Sequence, residues 1–317
     1  ILYYVGFLPW LIKLFARFFY KTMGTSGSES LCAASNIFVG VESALMVKPY
    51  IAKMTKSELC TILTCGMATV ASNVLAVYVF ALNPYFPTIA AHLISASFLS
   101  APAALIMSKT LFPEDGEPVT MGKVTEINYE KPQSIHAAII DGAQTGMTLV
   151  LGISALLLAI LGLVALVNLG LGLAGGWLNS ILNLEIQWTL SALLGYVFYI
   201  PTLIIGVPPE DAWAVAKIIG ERSIVTEVTA YQDLATLMAK DGLVHARSAV
   251  ITTYALCGFA HVGSIAIFVG GVSALAKDRT NDIAVSGVRA LFAATMACLM
   301  TACIAGTFFN ESSILIP

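Results

Sequence analysis

Long apolar stretches separated by short polar ones dominate the chain. Residues 58–82, 87–108, 148–174 and 285–308 are apolar over lengths that suit a bilayer, which a helix crosses with about 20 residues. These runs are continuous, whereas the strands of an outer-membrane barrel alternate in segments of about ten residues. The pattern therefore predicts an all-α, polytopic membrane protein.

Two further apolar stretches are interrupted. Residues 31–47 form a run that is too short for a span and contains Asn36, Gly40 and Glu42, and residues 248–276 carry a polar break in their middle. Each is typical of a re-entrant helical hairpin, in which two half-helices meet at a tip. Because one interrupted segment lies near each end of the chain, the order also predicts inverted repeats, as in many secondary transporters.

Other segments suit the membrane surface or a wet interior. Residues 1–20 place Lys13 and Arg17 at helical spacing among aromatic residues, which predicts the end of a span followed by an interfacial helix. Residues 185–207 contain many aromatic residues, so they lie at an interface or fold back. Residues 210–235 look helical but are too charged to face lipid, and we expect them to line protein or water.

These patterns divide the chain into segments along its length. The sequence begins at Ile1 inside an apolar stretch, without an initiator Met, and we expect that further residues precede it. The predicted organisation is the end of a truncated span with an interfacial helix (1–30), the first hairpin and following spans (31–108), an aqueous loop (109–135), a long span and interfacial helix (136–207), a broken helix, the second hairpin and the last span (208–308), and a tail (309–317).

Composition excludes several classes of protein. Of the 317 residues, 58% are hydrophobic and 11% charged, whereas soluble domains carry about 25% charged residues. The 16 Lys and Arg residues do not exceed the 19 Asp and Glu residues, which argues against a nucleic-acid partner. The six cysteines lie in apolar runs without a CxxC pair, and no hydrolase, phosphate-loop or zinc motif occurs. We expect no enzyme activity and no cofactor.

Two acids lie in otherwise apolar surroundings, Glu42 and Glu227. A carboxylate at membrane depth costs several kcal/mol unless it meets water, a cation or hydrogen-bond donors. These side chains therefore either hold a polar solute or a proton in a central cavity, or cap half-helix N-termini, where the helix dipole favours negative charge.

Several neutral polar residues lie beside the predicted breaks. Asn36 and Thr69 carry the amide and hydroxyl oxygens that suit a sodium ion, although such residues also serve as helix–helix hydrogen bonds. His261 and Ser264 lie in the second break. There, the His either contacts a ligand or titrates in a coupling step, or it is an ordinary interior polar group.

A set of short motifs runs along almost the whole chain, from about residue 1 to residue 308. The motifs are Gly24-Thr25-Ser26, Glu29-Ser30, Ala33-Ala34-Ser35-Asn36-Ile37-Phe38-Val39-Gly40, Val47-Lys48-Pro49-Tyr50, Met54-Thr55-Lys56-Ser57-Glu58-Leu59, Ser95-Ala96-Ser97, Ala101-Pro102, Gly206-Val207-Pro208, Glu227, Ala230-Tyr231, Leu256-Cys257-Gly258-Phe259-Ala260 and Ser264-Ile265. As a set, they resemble the concentrative nucleoside transporter family, the nucleoside:cation symporters.

The resemblance implies a homotrimer with eight spans per subunit, two opposed re-entrant hairpins and interfacial helices. It implies an elevator-like movement that imports nucleosides with sodium or protons through a bacterial inner membrane or a eukaryotic plasma membrane. The implied substrate-binding residues are Glu42, Val41 and Ser43 at the first tip, and Glu227, Thr226, Phe259, His261 and Ser264 for the ribose side. The implied sodium ligands are Asn36, Val39, Thr69 and Val70.

The chain departs from the family pattern at its binding positions. The family tip Gly-Gln-Thr-Glu is Gly40-Val41-Glu42-Ser43 here, the Asn before the ribose-binding glutamate is Thr226, and a ribose-contacting Asn is His261. Asn36 favours sodium, because proton-coupled members tend to lose it. The exchanges leave the identity of the nucleoside open. The alternatives are a proton-coupled transporter and a nucleoside-binding membrane receptor without transport.

Overall fold

The computed structural model describes residues 1–40, 42–70, 72–123, 125, 127, 132–182 and 186–310, which form α-helices and connecting turns without a β-strand in those ranges. The helices before residue 112 are α1 (Leu2–Val5), α2 (Phe7–Met23), α3 (Gly27–Asn36), α4 (Ser43–Met46), α5 (Lys48–Ile51), α6 (Lys56–Ala68), α7 (Ser72–Leu82) and α8 (Ile89–Leu111). Those after residue 134 are α9 (Ile135–Leu182), α10 (Leu190–Ile204), α11 (Pro209–Arg222), α12 (Glu227–Ala239), α13 (Ala246–Leu256), α14 (Val262–Leu275) and α15 (Thr280–Thr307).

Helix α2 has the amphipathic pattern of an interfacial helix. It buries Leu8, Ile12, Ala16 and Phe19, which recur at helical spacing on one face, and it packs against α3. Gly6 precedes it with a positive φ of 85°, a conformation that suits glycine and that separates α1 from α2. A separate helix is therefore present within the predicted segment, and its place at the membrane surface stays a prediction.

Residues 58–82, which were predicted as one continuous span, form two helices. Helix α6 ends at Ala68, Thr69 adopts an extended conformation (φ −112°, ψ 155°), and α7 begins at Ser72. The Thr69 hydroxyl donates to the carbonyl of Cys65 (2.8 Å), a bond that turns the side chain back along the helix. The break contains neither Gly nor Pro, so the apolar sequence gave no indication that the helix is interrupted there.

The second hairpin also lies elsewhere than predicted. Helices α11 and α12 pack against each other, as α3 and α4 do, whereas α13 and α14 share hardly any contacts. Residues 210–235, expected to be a charged and broken helix, thus form a folded-back pair of helices that turns at Ser223–Thr226, and residues 248–276, expected to be a hairpin, form an interrupted helix. The turn contains neither Gly nor Pro, so the sequence did not indicate that the chain folds back there.

With these corrections, the element order repeats. In both halves, a helix that packs against the following hairpin comes first, and a hairpin, an interrupted helix and a long helix follow. The first series is α2, α3 with α4 and α5, α6 with α7, and α8. The second series is α10, α11 with α12, α13 with α14, and α15.

Helix α9 joins the two series and is longer than predicted. The span predicted at residues 148–174 is part of one helix of 48 residues that begins at Ile135. Together with α8 and α15, it supplies three stretches that are long and apolar enough to cross a membrane, namely Ile89–Leu111, Leu161–Ile181 and Lys277–Thr307. The stretch in α9 is mostly exposed, whereas the other two are half-buried within the chain.

Candidate functional site

Three interruptions of helical structure meet inside the fold. The N–H of Val262, where α14 begins, donates to the carbonyl of Ser223 in the α11–α12 turn (3.0 Å). Cys298 of α15 connects the break after α6 to the break after α13, because its Sγ lies 3.9 Å from the carbonyl oxygen of Ala68 and 3.8 Å from that of Cys257. Each break exposes backbone groups that lack helical partners, so this region can bind polar solutes and ions.

Gly258 allows the breaks to approach so closely. A Cβ at this position would lie 2.9 Å from the carbonyl oxygen of Ala68 and would collide with the sulfur of Cys298. Because Gly258 has no side chain, the backbone after α13 packs directly against the backbone at the end of α6.

Glu227 lies at the centre of the region. It is the first residue of α12 and is fully buried. Its Oε1 accepts a hydrogen bond from the phenol of Tyr78 on α7 (2.6 Å), and its Oε2 lies 3.6 Å from Nε2 of His261. Tyr78 was not predicted as a site residue, since one tyrosine in an apolar run is common at membrane interfaces. The ring of Tyr231 stacks on it at 4.6 Å.

The residues around His261 gather on the same side. His261 precedes α14 and is fully buried, and neither of its ring nitrogens has a hydrogen-bond partner among the described residues. The ring of Phe259 lies 5.1 Å from the imidazole. The hydroxyl of Ser264 donates to the His261 carbonyl (2.6 Å), and Thr226 immediately precedes Glu227. The five residues predicted for the ribose side thus lie in one small region.

Arg222 was also missed, because its charge lies within a segment rich in charges. It is the last residue of α11 and is fully buried. Its Nη1 donates to the carbonyl of Gly258 (3.3 Å), while Nε and Nη2 lack a partner in the described part of the chain. The guanidinium is close enough to Glu227 and His261 to interact with both electrostatically.

The predicted sodium ligands lie at the ends of two helices that pack against each other, α3 and α6. Asn36 and Val39 lie at the end of α3, and Thr69 and Val70 directly follow α6. Asn36 is buried and donates from Nδ2 to the carbonyl of Cys32 (3.0 Å), but its Oδ1 accepts no hydrogen bond from the described residues. An unpaired buried acceptor is costly, and a cation would satisfy it. Val39, Thr69 and Val70 flank the same helix ends, so the donor set fits a hard cation that binds neutral oxygens.

The first tip stands apart from Glu227 in the described contacts. Glu42 precedes α4, is half-buried and makes no side-chain cap to that helix. Ser43 is buried, and its Oγ lies 3.8 Å from Sγ of Cys32. Val41 lies outside the described residues. No hydrogen bond or ion pair described here joins Glu42 to Glu227, so the pairing of the two acids around one pocket stays a prediction.

Cavities and cysteines complete the description. A groove of about 360 Å³ lies beside the end of α3, α7 and α8, and its lining is mainly apolar, including Ile37, Leu75 and Phe98. Within the described ranges, no group of three or more His, Cys, Asp or Glu residues could hold a metal ion. The six cysteines are free thiols, and all except Cys303 are buried.

Comparison with protein families gives two matches that follow one another along the chain. A family described as "Nucleoside recognition" (Gate) matches residues 1–85. A family described as the C-terminus of Na⁺-dependent nucleoside transporters matches residues 92–306, which is more than half of the chain.

The curated relatives carry transporter names and not enzyme names. Solute carrier family 28 member 3 of Eptatretus stoutii is 40% identical over 97% of this chain and 46% of its own length. Sodium/nucleoside cotransporter 1 of Rattus norvegicus is 34% identical over 98% of this chain and 48% of its own length. An uncharacterized transporter of Haemophilus influenzae is 38% identical over 98% of this chain and 73% of its own length. The chain thus spans about half the length of the first two relatives.

Solved structures give the same result. CNTnw in an inward-facing substrate-bound state is 36% identical, with a TM-score of 0.85 over 98% of this chain and 72% of that one. A CNTnw variant in an outward-facing state is 37% identical, with a TM-score of 0.88 over 99% of this chain and 72% of that one. The fold is that of a helical membrane transporter, and the chain belongs to the family of Na⁺-dependent nucleoside transporters.

Proposed function

We propose that the chain forms the nucleoside-binding and sodium-binding part of a symporter that imports nucleosides. The observation that carries this proposal is the buried Glu227, placed by Tyr78 and facing His261, where three helix interruptions meet. A buried carboxylate with one oxygen free of hydrogen bonds among the described residues is suited to accept the hydroxyl groups of a ribose.

Ribose recognition is assigned to the α12 and α14 side of the site. Glu227 accepts ribose hydroxyls, His261 donates from a ring nitrogen, and Phe259 packs on the ligand, with Thr226 and Ser264 beside them. Glu42 orients the base from the first tip, together with Ser43 and Val41. Because His261 replaces an amide of the family pattern, we expect selectivity for the sugar to differ from that of relatives with Asn.

Sodium binding is assigned to Asn36, Val39, Thr69 and Val70. The unpaired Oδ1 of Asn36 supports this assignment. A cation at this position would join the end of α3 to the break after α6 and so order the first tip before the nucleoside binds. One sodium ion that moves with a neutral solute contributes about 2.3 kcal/mol per 100 mV of membrane potential.

The wider architecture follows from the same proposal. The two repeats insert with opposite orientation, the hairpins α3–α4 and α11–α12 re-enter the membrane from opposite sides, and the binding region moves between the faces of a homotrimer in an elevator-like step. The mostly exposed apolar surface of α9 supports contacts with lipid or with neighbouring subunits. The protein resides in a bacterial inner membrane or a eukaryotic plasma membrane.

Uptake of radiolabelled uridine into proteoliposomes tests the function. We expect an inward sodium gradient to drive uptake, and Glu227→Gln and Asn36→Ala to reduce it. Only Asn36→Ala should weaken the stimulation of uridine binding by sodium in detergent. Glu210→Gln, an exposed acid on α11 that faces His245, serves as the matched control. Saturable binding without flux across a sealed vesicle would contradict transport and favour a receptor.

Proton coupling is the second candidate, because Nε2 of His261 and Oε2 of Glu227 lie 3.6 Å apart and could share a proton, and Glu42 is a further carboxylate at the first tip. In that case, a pH gradient drives uptake and sodium has no effect. Replacing sodium with choline at constant pH, and then imposing a pH gradient without sodium, separates the two ions.

A further inference from the structure

Arg222 and Asn36 occupy equivalent positions in the two repeats. Asn36 is the last residue of α3, the first limb of one hairpin, and Arg222 is the last residue of α11, the first limb of the other. Both are fully buried. Asn36 belongs to the proposed sodium site, which also uses the break after α6. The corresponding break of the second repeat follows α13.

Arg222 already contacts that second break. Its Nη1 donates to the carbonyl of Gly258 (3.3 Å), the second residue after the end of α13. In the first repeat, the second residue after the end of α6 is Val70, a proposed sodium ligand. The positive charge of Arg222 therefore lies against backbone that corresponds to the sodium-binding backbone of the first repeat.

We infer that the guanidinium of Arg222 is a built-in cation that occupies the second-repeat counterpart of the sodium site. It binds the carbonyl of the second break permanently, so the second hairpin needs no dissolved ion. Nε and Nη2 have no partner among the described residues, which leaves donors for further carbonyls or for a ligand oxygen when the tip closes. One sodium ion per chain then suffices, which rests on the proposed sodium site in the first repeat.

The test uses the purified chain in detergent, with thermal unfolding measured in equal concentrations of NaCl or choline chloride. We expect Arg222→Lys, which keeps the charge, to unfold near the wild-type temperature. Arg222→Asn, which copies the side chain of the first repeat, should unfold at least about 5 °C lower in choline. NaCl should recover most of this loss, beyond the stabilisation it gives the wild type, and the sodium titration should rise from one site to two.

Three results would overturn the inference. Arg222→Lys could be as unstable as Arg222→Asn, Arg222→Asn could be as stable as wild type in choline, or sodium could fail to recover the loss. The double variant with Arg222→Asn and Glu227→Gln tests a different role, in which Arg222 only neutralises the charge of Glu227. If the second substitution restores the unfolding temperature of Arg222→Asn in choline, Arg222 has that role and not the one inferred. Asn36→Ala reports separately on the first-repeat site. If NaCl stabilises Asn36→Ala as much as it stabilises the wild type, the proposed sodium site is wrong. The comparison of Arg222→Lys with Arg222→Asn still tests whether the positive charge at position 222 stabilises the fold.

Discussion

The phenol of Tyr78 donates a 2.6 Å hydrogen bond to Glu227, a residue 149 positions further along the chain. Tyr78 belongs to the interrupted helix of the first repeat and Glu227 to the hairpin of the second. The bond fixes one carboxylate oxygen and leaves the other facing His261. Tyr78 therefore positions the carboxylate of Glu227 and connects the two repeats at the proposed binding region.

Tyr78→Phe should weaken uridine binding by about tenfold or more, because a hydrogen bond to a charged group contributes about 1.5–3 kcal/mol. Tyr231→Phe is the matched control, since its phenol donates to the carbonyl of Thr253 (2.8 Å) and does not contact Glu227. Isothermal titration with uridine measures the effect. Equal losses in both variants would show that ring packing, and not the bond to Glu227, sets affinity.

His261→Asn should strengthen binding of unmodified nucleosides, because Asn supplies an amide donor to the ligand and is also a favoured N-cap residue for α14. His261 itself makes no side-chain cap bond to that helix. His261→Ala should weaken binding, since it leaves no donor. A thermal-shift screen of nucleosides against the three proteins reads out both affinity and selectivity, and equal behaviour of the Asn and Ala variants would remove His261 from the site.

Gly258→Ala should destabilise the protein by about 1–3 kcal/mol, because the added methyl group collides with neighbours in a packed interior. Gly270→Ala is the matched control, since a Cβ there meets nothing within 4 Å. Thermal unfolding in detergent compares the two. Cys298→Ala should restore part of the loss in Gly258→Ala by removing the sulfur. If Gly258→Ala unfolds like Gly270→Ala, the breaks do not pack as described.

Lys109→Met should destabilise the fold by about 3 kcal/mol, because it leaves a buried carboxylate without its partner. Lys109 Nζ lies 2.7 Å from Oε1 of Glu29, which is fully buried. Adding Glu29→Gln should restore much of the stability, since the unpaired charge is then gone. Thermal unfolding of the two single variants and the double variant gives the coupling between the residues. Additive losses would argue against a functional ion pair.

Much of the fold could be predicted from the hydrophobic pattern. Helices α8 and α15 are long, apolar and bounded by polar residues, so length alone identified them. The break at residues 257–261 contains Gly258 and His261, which differ visibly from the apolar residues on either side. The turn at Ser223–Thr226 consists mostly of β-branched residues, and neither this turn nor the break at Thr69 contains Gly or Pro, so the local sequence does not indicate where the helix ends.

The site was predictable only in part, for a related reason. Glu227 and His261 stand out because a buried polar group in an apolar setting is costly and implies a partner. Tyr78 and Arg222 do not stand out, since tyrosine is ordinary near membranes and Arg222 lies among other charges. Their roles depend on contacts between distant segments, and a single sequence does not determine which segments meet.

The starts of α3 and α6 are tied together in a way that bears on how the protein is made. The hydroxyl of Ser26 accepts a hydrogen bond from the backbone N–H of Glu29 and donates one to Glu58 (2.6 Å), while the Glu29 carboxylate accepts from the backbone N–H of Ser26. The ammonium group that offsets the charge of Glu29 belongs to Lys109, which leaves the ribosome well after both acids because chains are synthesised from the N-terminus. The buried ion pair between Glu29 and Lys109 can therefore form only after the end of α8 has been synthesised.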